Sequence, residues 1–187
     1  MRYEKGHKEA TRQRIVEVAA AEFRRNGIEG IGVADLMAKA GLTHGGFYSH
    51  FKSKEELVRA AMEEAAGKSR MRRIAAEGGT LEDIVRSYLR PDHRDQPERG
   101  CAIAALVAEI GRHSQATRKE FTAGIERLLG VIESRLPEGT RDRRETAIGV
   151  FSLIMGALQL ARTVNDKKLS DQIIEAGIQS ALNLANK

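Results

Sequence analysis

The chain has one cysteine, three prolines and no tryptophan among its 187 residues. A single cysteine excludes an intramolecular disulfide framework and a cysteine-based zinc cluster. Scarce proline and few β-branched runs argue against a strand-and-turn architecture and leave an all-α chain. Long apolar runs are missing too. The longest stretch without a charge, residues 146–161 (TAIGVFSLIMGALQLA), contains Gly149, Ser152, Gly156 and Gln159. It stops short of the about 18 to 20 apolar residues a membrane span needs, so a buried helix is expected and no membrane partner. The charged start from Arg2 to Lys8 is followed by no apolar core, so no secretory signal is expected and the compartment is cytoplasmic. Internal repeats and low-complexity segments are absent.

Signs of catalysis are missing as well. No nucleophile–base pair stands at recognisable spacing, and no metal-ligand cluster or phosphate-binding glycine loop is present. His93-Arg94-Asp95 has the letters of a kinase catalytic loop, but Gly100 stands where the downstream Asn belongs and no glycine-rich loop precedes it. No enzyme, cofactor or metal is therefore expected.

What is present is ordinary globular material, 41% hydrophobic and 30% charged, enough for one domain or two small ones. The net charge of +5 favours an anionic partner, and its distribution says more than its size. Residues 1–54 hold ten Lys/Arg against six Asp/Glu, so most of the positive excess lies at one end.

That end contains the most informative stretch, residues 40–57, AGLTHGGFYSHFKSKEEL. Gly41 can take the left-handed conformation that closes a helix. Thr43 follows as an N-cap for the next helix, and Ser53 with Glu56 forms a capping box that opens another. The helix between them is thus very short. Two helices joined by a tight glycine-containing turn form a helix-turn-helix, whose second helix enters the DNA major groove. The candidate DNA-binding residues are Thr43, His44, Gly45, Tyr48, Ser49, His50, Lys52 and Lys54. Thr43 either caps the helix or meets phosphate, and the cap does not preclude the contact. Tyr48 either reaches DNA or is partly buried with a satisfied hydroxyl. Gly45-Gly46 costs about 1 kcal/mol per glycine in a helix, which either close backbone approach to DNA repays or a short helix propped by its neighbours tolerates. Phe47 and Phe51 belong to the core.

Residues 11–57 resemble the N-terminal domain of TetR-family transcriptional regulators. The resemblance is carried by Asp35-Leu36-Met37-Ala38, Ala40-Gly41-Leu42-Thr43, Gly46-Phe47-Tyr48-Ser49-His50-Phe51 and Ser53-Lys54-Glu55-Glu56-Leu57. It implies that Tyr48 and His50 contact the DNA backbone or neighbouring bases and that Lys54 contacts phosphate. Gly32 departs from the family, which usually places Ser or Thr there to cap the preceding helix.

Beyond this segment the pattern predicts about nine helices in all. A basic arm occupies residues 1–7, helix 1 runs from Lys8 to Asn26, helix 2 from Val33 to Ala40, and helix 4 continues from Ser53 to Ala76. A polar loop spans Pro91–Gly100, and four further helices follow it. Helix 1 is expected to bury Ile15, Val18, Ala19, Ala21 and Phe23. The expected division is a DNA-binding domain at 1–54 and a ligand-binding and dimerisation domain at 55–187. Cys101 opens a helix, where the dipole favours a thiolate, and Arg94 and Arg99 are near in sequence. Its Gly-Cys start resembles the NemR/LmrA-type subgroup, which includes an electrophile sensor. A small buried hydrophobe is the alternative reading. Phe121, Phe151, Met155 and Gln159 are candidate contacts for an unknown small-molecule effector, with close helix packing, and for Gln159 a solvated face, as the alternative reading.

The last two helices carry Val150, Ile154, Leu158, Ile174 and Ile178, and the family resemblance makes them a homodimer interface. The whole reads as a dimeric, sequence-specific regulator of a palindromic duplex. It would be a repressor released by a small molecule or by modification of Cys101. The rival reading is a helical small-molecule-binding module or enzyme that uses its helix-turn-helix for assembly.

Overall fold

A computed structural model describes residues 5–186. The order is α1 (Lys5–Asn26), α2 (Val33–Lys39), a 3-10 helix (His44–Ser49), α3 (Lys54–Gly67), α4 (Arg70–Ala76), α5 (Leu81–Tyr88), α6 (Pro91–Asp95), a 3-10 turn (Pro97–Arg99), α7 (Ala102–Ile110), α8 (Gln115–Glu133), α9 (Arg143–Thr163) and α10 (Lys167–Ala185). No strand occurs among the described residues.

The all-helical expectation holds, with three local corrections. Of the expected basic arm, residues 1–4 lie outside the described residues, while Lys5–His7 are already the first turn of α1. The helix expected to run to Ala76 ends at Gly67, and a new one starts after Ser69, whose hydroxyl accepts from the Arg72 N–H. The loop expected at 91–100 contains α6 and a 3-10 turn. Pro91 sits in the first turn of α6, where its missing N–H leaves no orphan and its fixed φ suits the helix.

By packing, the chain divides into two compact units, one of residues 1–67 and 97–122, the other of 68–96 and 123–187. In the first, α1 packs on α2, α3 and α7. Its buried stripe is Ile15, Val16, Ala19, Ala20 and Phe23, with Val18 and Ala21 only half-buried. Leu36, Met37, Phe47, Phe51, Leu57 and Val58 complete this core. Buried Glu22 accepts from Asn26 at 2.8 Å and pairs with Lys39 at 3.5 Å, tying α1 to α2.

In the second unit, α10 lies along α9 and also packs on α5. Thr80 and Asp83 form a reciprocal capping box at the start of α5. Of the residues expected at the dimer interface, Val150, Ile154 and Leu158 are fully buried within the single chain, while Ile178 and Ile174 keep a small exposed fraction. At about 100° per residue, Val150, Ile154 and Leu158 fall on the side of α9 that faces the core. Ile148, Leu153 and Leu160 lie on the opposite side, and they are exposed, as is Leu169 at the start of α10. Among the described helices, α9 alone is long and apolar enough to cross a membrane by length and composition. Much of that apolar content is its core-facing side.

A polar network ties α6 to α9 and α10. The buried Arg94 side chain pairs with Asp95 and Asp171, each at 2.6 Å, and donates to Ser170 Oγ at 3.1 Å. Arg162 donates to the carbonyls of His93 and Arg94. Its two carboxylate partners and its own hydrogen bonds hold the Arg94 guanidinium firmly protonated.

Candidate nucleic-acid interface

The helix-turn-helix is built by local backbone chemistry. Gly41 adopts φ 68° after α2. Its N–H donates to the Ala38 carbonyl and the Leu42 N–H to the Met37 carbonyl, both at 2.9 Å. This is the Schellman closure, which satisfies the last carbonyls of α2 and turns the chain. Gly32 is the N-cap of α2 and offers no side-chain hydrogen bond there. Asp35 in the first turn supplies negative charge at the dipole instead.

The second helix of the motif is a 3-10 helix, and Thr43 is not its side-chain cap. The tighter winding brings the Gly46 N–H to the Thr43 carbonyl at 3.1 Å, so the first turn closes on backbone alone. Phe47 and Phe51 stack at 5.7 Å between centroids and anchor one side of this helix in the core. The other side carries exposed Thr43, His44, Gly45, Tyr48 and Ser49. Tyr48 is 67% exposed, which removes the buried-tyrosine alternative. Its ring stands edge-on to Phe47 at 5.3 Å, and His44 is 6.3 Å from it. Ser49 Oγ donates to the Gly46 carbonyl at 2.7 Å.

The next helix begins as Ser53 and Glu56 predict, with one variation. Ser53 Oγ accepts from the Glu56 N–H at 3.2 Å, while the Glu56 carboxylate accepts from Lys52 rather than Ser53, at 2.8 Å. Lys52 is exposed, and Lys54 lies 4.0 Å from Glu29. His50 is half-buried, and its Nδ1 is buried without a hydrogen-bond partner among the described residues. Burial first, then the charges of Lys8 and Arg12, lower its pKa against the opposing Glu9, so the ring is neutral at pH 7. Arg12 also stacks over Phe51, 4.7 Å from the ring centroid. Lys8 and Arg12 thus place cationic charge from α1 beside the motif. The motif itself does not contain them, and their only sequence signal is an i, i+4 pair on a basic helix end.

The family model for bacterial regulatory proteins of the tetR family matches residues 15–61. The chain belongs to the TetR family. It is 25% identical to the transcriptional repressor DhaR of Mycobacterium sp. (strain GP1), across 94% of this chain and 96% of that one. A TetR-family regulator from Chloroflexus aurantiacus superposes with a TM-score of 0.74 at 27% identity, covering 93% of this chain and 95% of its own. The reduced form of NemR from E. coli shares the fold at 22% identity, with a TM-score of 0.76 and coverage of 93% and 96%. TetR-family regulators bind DNA and form homodimers.

The expected effector residues do not fall in one packing unit. Cys101 and Phe121 belong to the first, Phe151, Met155 and Gln159 to the second. Phe151 is buried, with Tyr88 6.2 Å away, and Gln159 accepts from Arg162 at 3.4 Å. Cys101 is the half-buried N-cap residue of α7 and makes no side-chain capping bond. Arg24, remote in sequence, lies within coulombic reach of Cys101.

Proposed function

We propose that the chain is a homodimeric, sequence-specific transcriptional repressor that sets its 3-10 helix in the major groove. Tyr48 carries the reading. Folding supplies no reason to keep so large an aromatic ring in solvent, and it stands on the side opposite the Phe47–Phe51 anchor. His44 and Tyr48 reach for base edges. Thr43, Ser49, His50, Lys52 and Lys54 track the phosphates, joined by Lys8 and Arg12. Gly45 lets the backbone come close, since a Cβ there would meet nothing within 4 Å inside the protein. The repressor names of DhaR and NemR support repression.

Residues 1–54 read DNA, and residues 55–187 receive the signal and dimerise. The partner meets the outer side of α9 and the start of α10, through Ile148, Leu153, Leu160 and Leu169. The two recognition helices then address half-sites about 34 Å apart, or a multiple of that, on cytoplasmic DNA. Phe151, Met155 and Gln159, spaced i, i+4, i+8 along α9, hold the small-molecule effector, and modification of Cys101 is the second route to release. The test starts from duplexes enriched from a random pool. Tyr48→Ala with Lys54→Ala is expected to weaken binding by about a hundredfold or more. Unchanged affinity of that double variant overturns the assignment.

A further inference from the structure

Two carboxylates bracket the helix-turn-helix: one on α7 meets the chain after α1, and one on α3 meets the turn from α7 into α8. At the end of α1, Gly27 takes φ 78°, which leaves the N–H groups of Ile28 and Glu29 without helical acceptors. Glu109, near the end of α7, supplies one. Its Oε2 accepts from Ile28 at 2.8 Å and from Glu29 at 3.3 Å. Its Oε1 lies 2.5 Å from where a Cβ on residue 27 would be, so this fit requires glycine twice over.

At the other end, Glu55 in the first turn of α3 is held by three donors from one short segment. His113 Nδ1 lies 2.8 Å from Oε1, Ser114 Oγ donates to Oε2 at 3.1 Å, and buried Thr117 donates to Oε2 as well. Ser114 also accepts from the Thr117 N–H at 3.3 Å, so the start of α8 is organised around this contact. Arg59, one turn further along α3, is 3.9 Å from the same carboxylate. Burial opposes ionisation of Glu55, but the bonds from Thr117, His113 and Ser114, with the His113 charge, hold its carboxyl down at about 2. Glu55 therefore stays ionised at neutral pH.

We propose that Glu109 and Glu55 are positioning residues, two clamps that fix residues 28–55 on the α7–α8 corner and so set how the recognition helix is presented to DNA. The inference rests on the DNA-binding reading and adds the route by which another part of the chain governs it. Between the clamps the Phe47–Phe51 anchor makes the motif one body, so a shift of residues 109–117 moves both of its ends together. Neither carboxylate is placed among the DNA contacts, and a negative charge would repel phosphate.

The experiment uses the full chain and its selected duplex. Glu109→Ala is expected to weaken binding about tenfold and to speed hydrogen exchange at the Ile28 and Glu29 amides. Glu109→Gln keeps an acceptor oxygen and is expected to restore affinity to within about threefold of wild type. Glu55→Gln keeps the size of the side chain and loses the charge that gathers the three donors. A loss of about tenfold is expected there too. Wild-type affinity in Glu109→Ala and Glu55→Gln overturns the proposal, as does a Glu109→Gln as weak as the alanine variant. Should the wild-type chain enrich no duplex, the DNA-binding reading fails. The clamp is then judged by exchange alone, and unchanged protection at Ile28 in Glu109→Ala refutes it.

Discussion

His93 makes the stability of the second unit depend on pH in a way that can be worked out beforehand. The side chain is 3% exposed, and its Nδ1 lies 2.6 Å from the Tyr88 carbonyl oxygen. A carbonyl only accepts, so Nδ1 carries the proton of the neutral ring. The Tyr88 ring stands edge-on 4.7 Å away. Burial pushes the His93 pKa down to about 4, against the Tyr88 bond and with help from the charges of Arg162 and Arg90. An unfolded histidine titrates near 6.5. Between these values the unfolded chain holds a proton that the folded chain refuses. Stability from this group is complete above about pH 6.5 and is lost as the pH falls through about 4. At about 1.4 kcal/mol for each tenfold change in proton affinity, the gap amounts to roughly 3 kcal/mol.

That is a large part of the about 5 to 15 kcal/mol a domain of this kind has. Urea unfolding at pH 7 and pH 4.5 should show a loss of roughly 2.5 kcal/mol from this group, a midpoint shift of about 1 M. The depressed Glu55 carboxyl stays out of this comparison, because its contribution is lost only below the usual carboxylate range, as the pH falls toward about 2. His50 acts in the same direction as His93, so the decisive measurement is a difference. His93→Gln can still donate to the Tyr88 carbonyl and cannot take up a proton. It should remove most of the acid loss. If His93→Gln loses as much stability between pH 7 and pH 4.5 as the wild type does, the reasoning is wrong.

Two further substitutions separate folding from function. Gly45→Ala meets nothing inside the protein and should raise stability by about 0.4 to 1 kcal/mol in thermal melts while weakening duplex binding, and unchanged binding would show that the backbone does not approach DNA there. Leu160→Glu, at a site 60% exposed, should convert the dimer to monomer by sedimentation without loss of helix, whereas Ile154→Ala in the core should cost about 2 to 5 kcal/mol of stability; a Leu160→Glu dimer would remove α9 from the interface.

The parts of the fold that could be read from sequence are those decided within a few residues. Gly27 and Gly41 stop helices because their left-handed backbone angles are costly for residues with a Cβ, and Ser53 marks a start because its hydroxyl meets an N–H three positions on. Phe47 and Phe51 sit on the inner side and Tyr48 on the outer, as helical spacing and hydrophobicity require. The side of α9 that faces inward is a different matter. Val150, Ile154 and Leu158 form one apolar stripe, and Ile148, Leu153 and Leu160 spread apolar surface over the other side. Periodicity alone gives no ground for choosing between them. The choice is made by α10 and by α6, a short element some fifty residues earlier, which pack on α9, burying the first stripe and leaving the other side exposed. The beginning of α6 was hidden for a similar reason: a stretch as polar as PDHRDQ looks like a loop until Arg94 finds Asp171 and Ser170.

Glu109 shows how far that limit extends. In the apolar helix AIAALVAEI a single glutamate looks like the solvated edge. Half of its role is nevertheless written in the sequence, some eighty residues earlier. A glycine that turns left-handed after Asn26 leaves the next amides pointing away from any helical carbonyl, and buried amides of that kind require an acceptor. The demand is local and visible, while the group that meets it is supplied by the fold. Orphaned donors around a DNA-reading motif are therefore the places to look for coupling in such a chain. Whatever fills them comes from another element, and moving that element must either break the hydrogen bonds or carry the motif along.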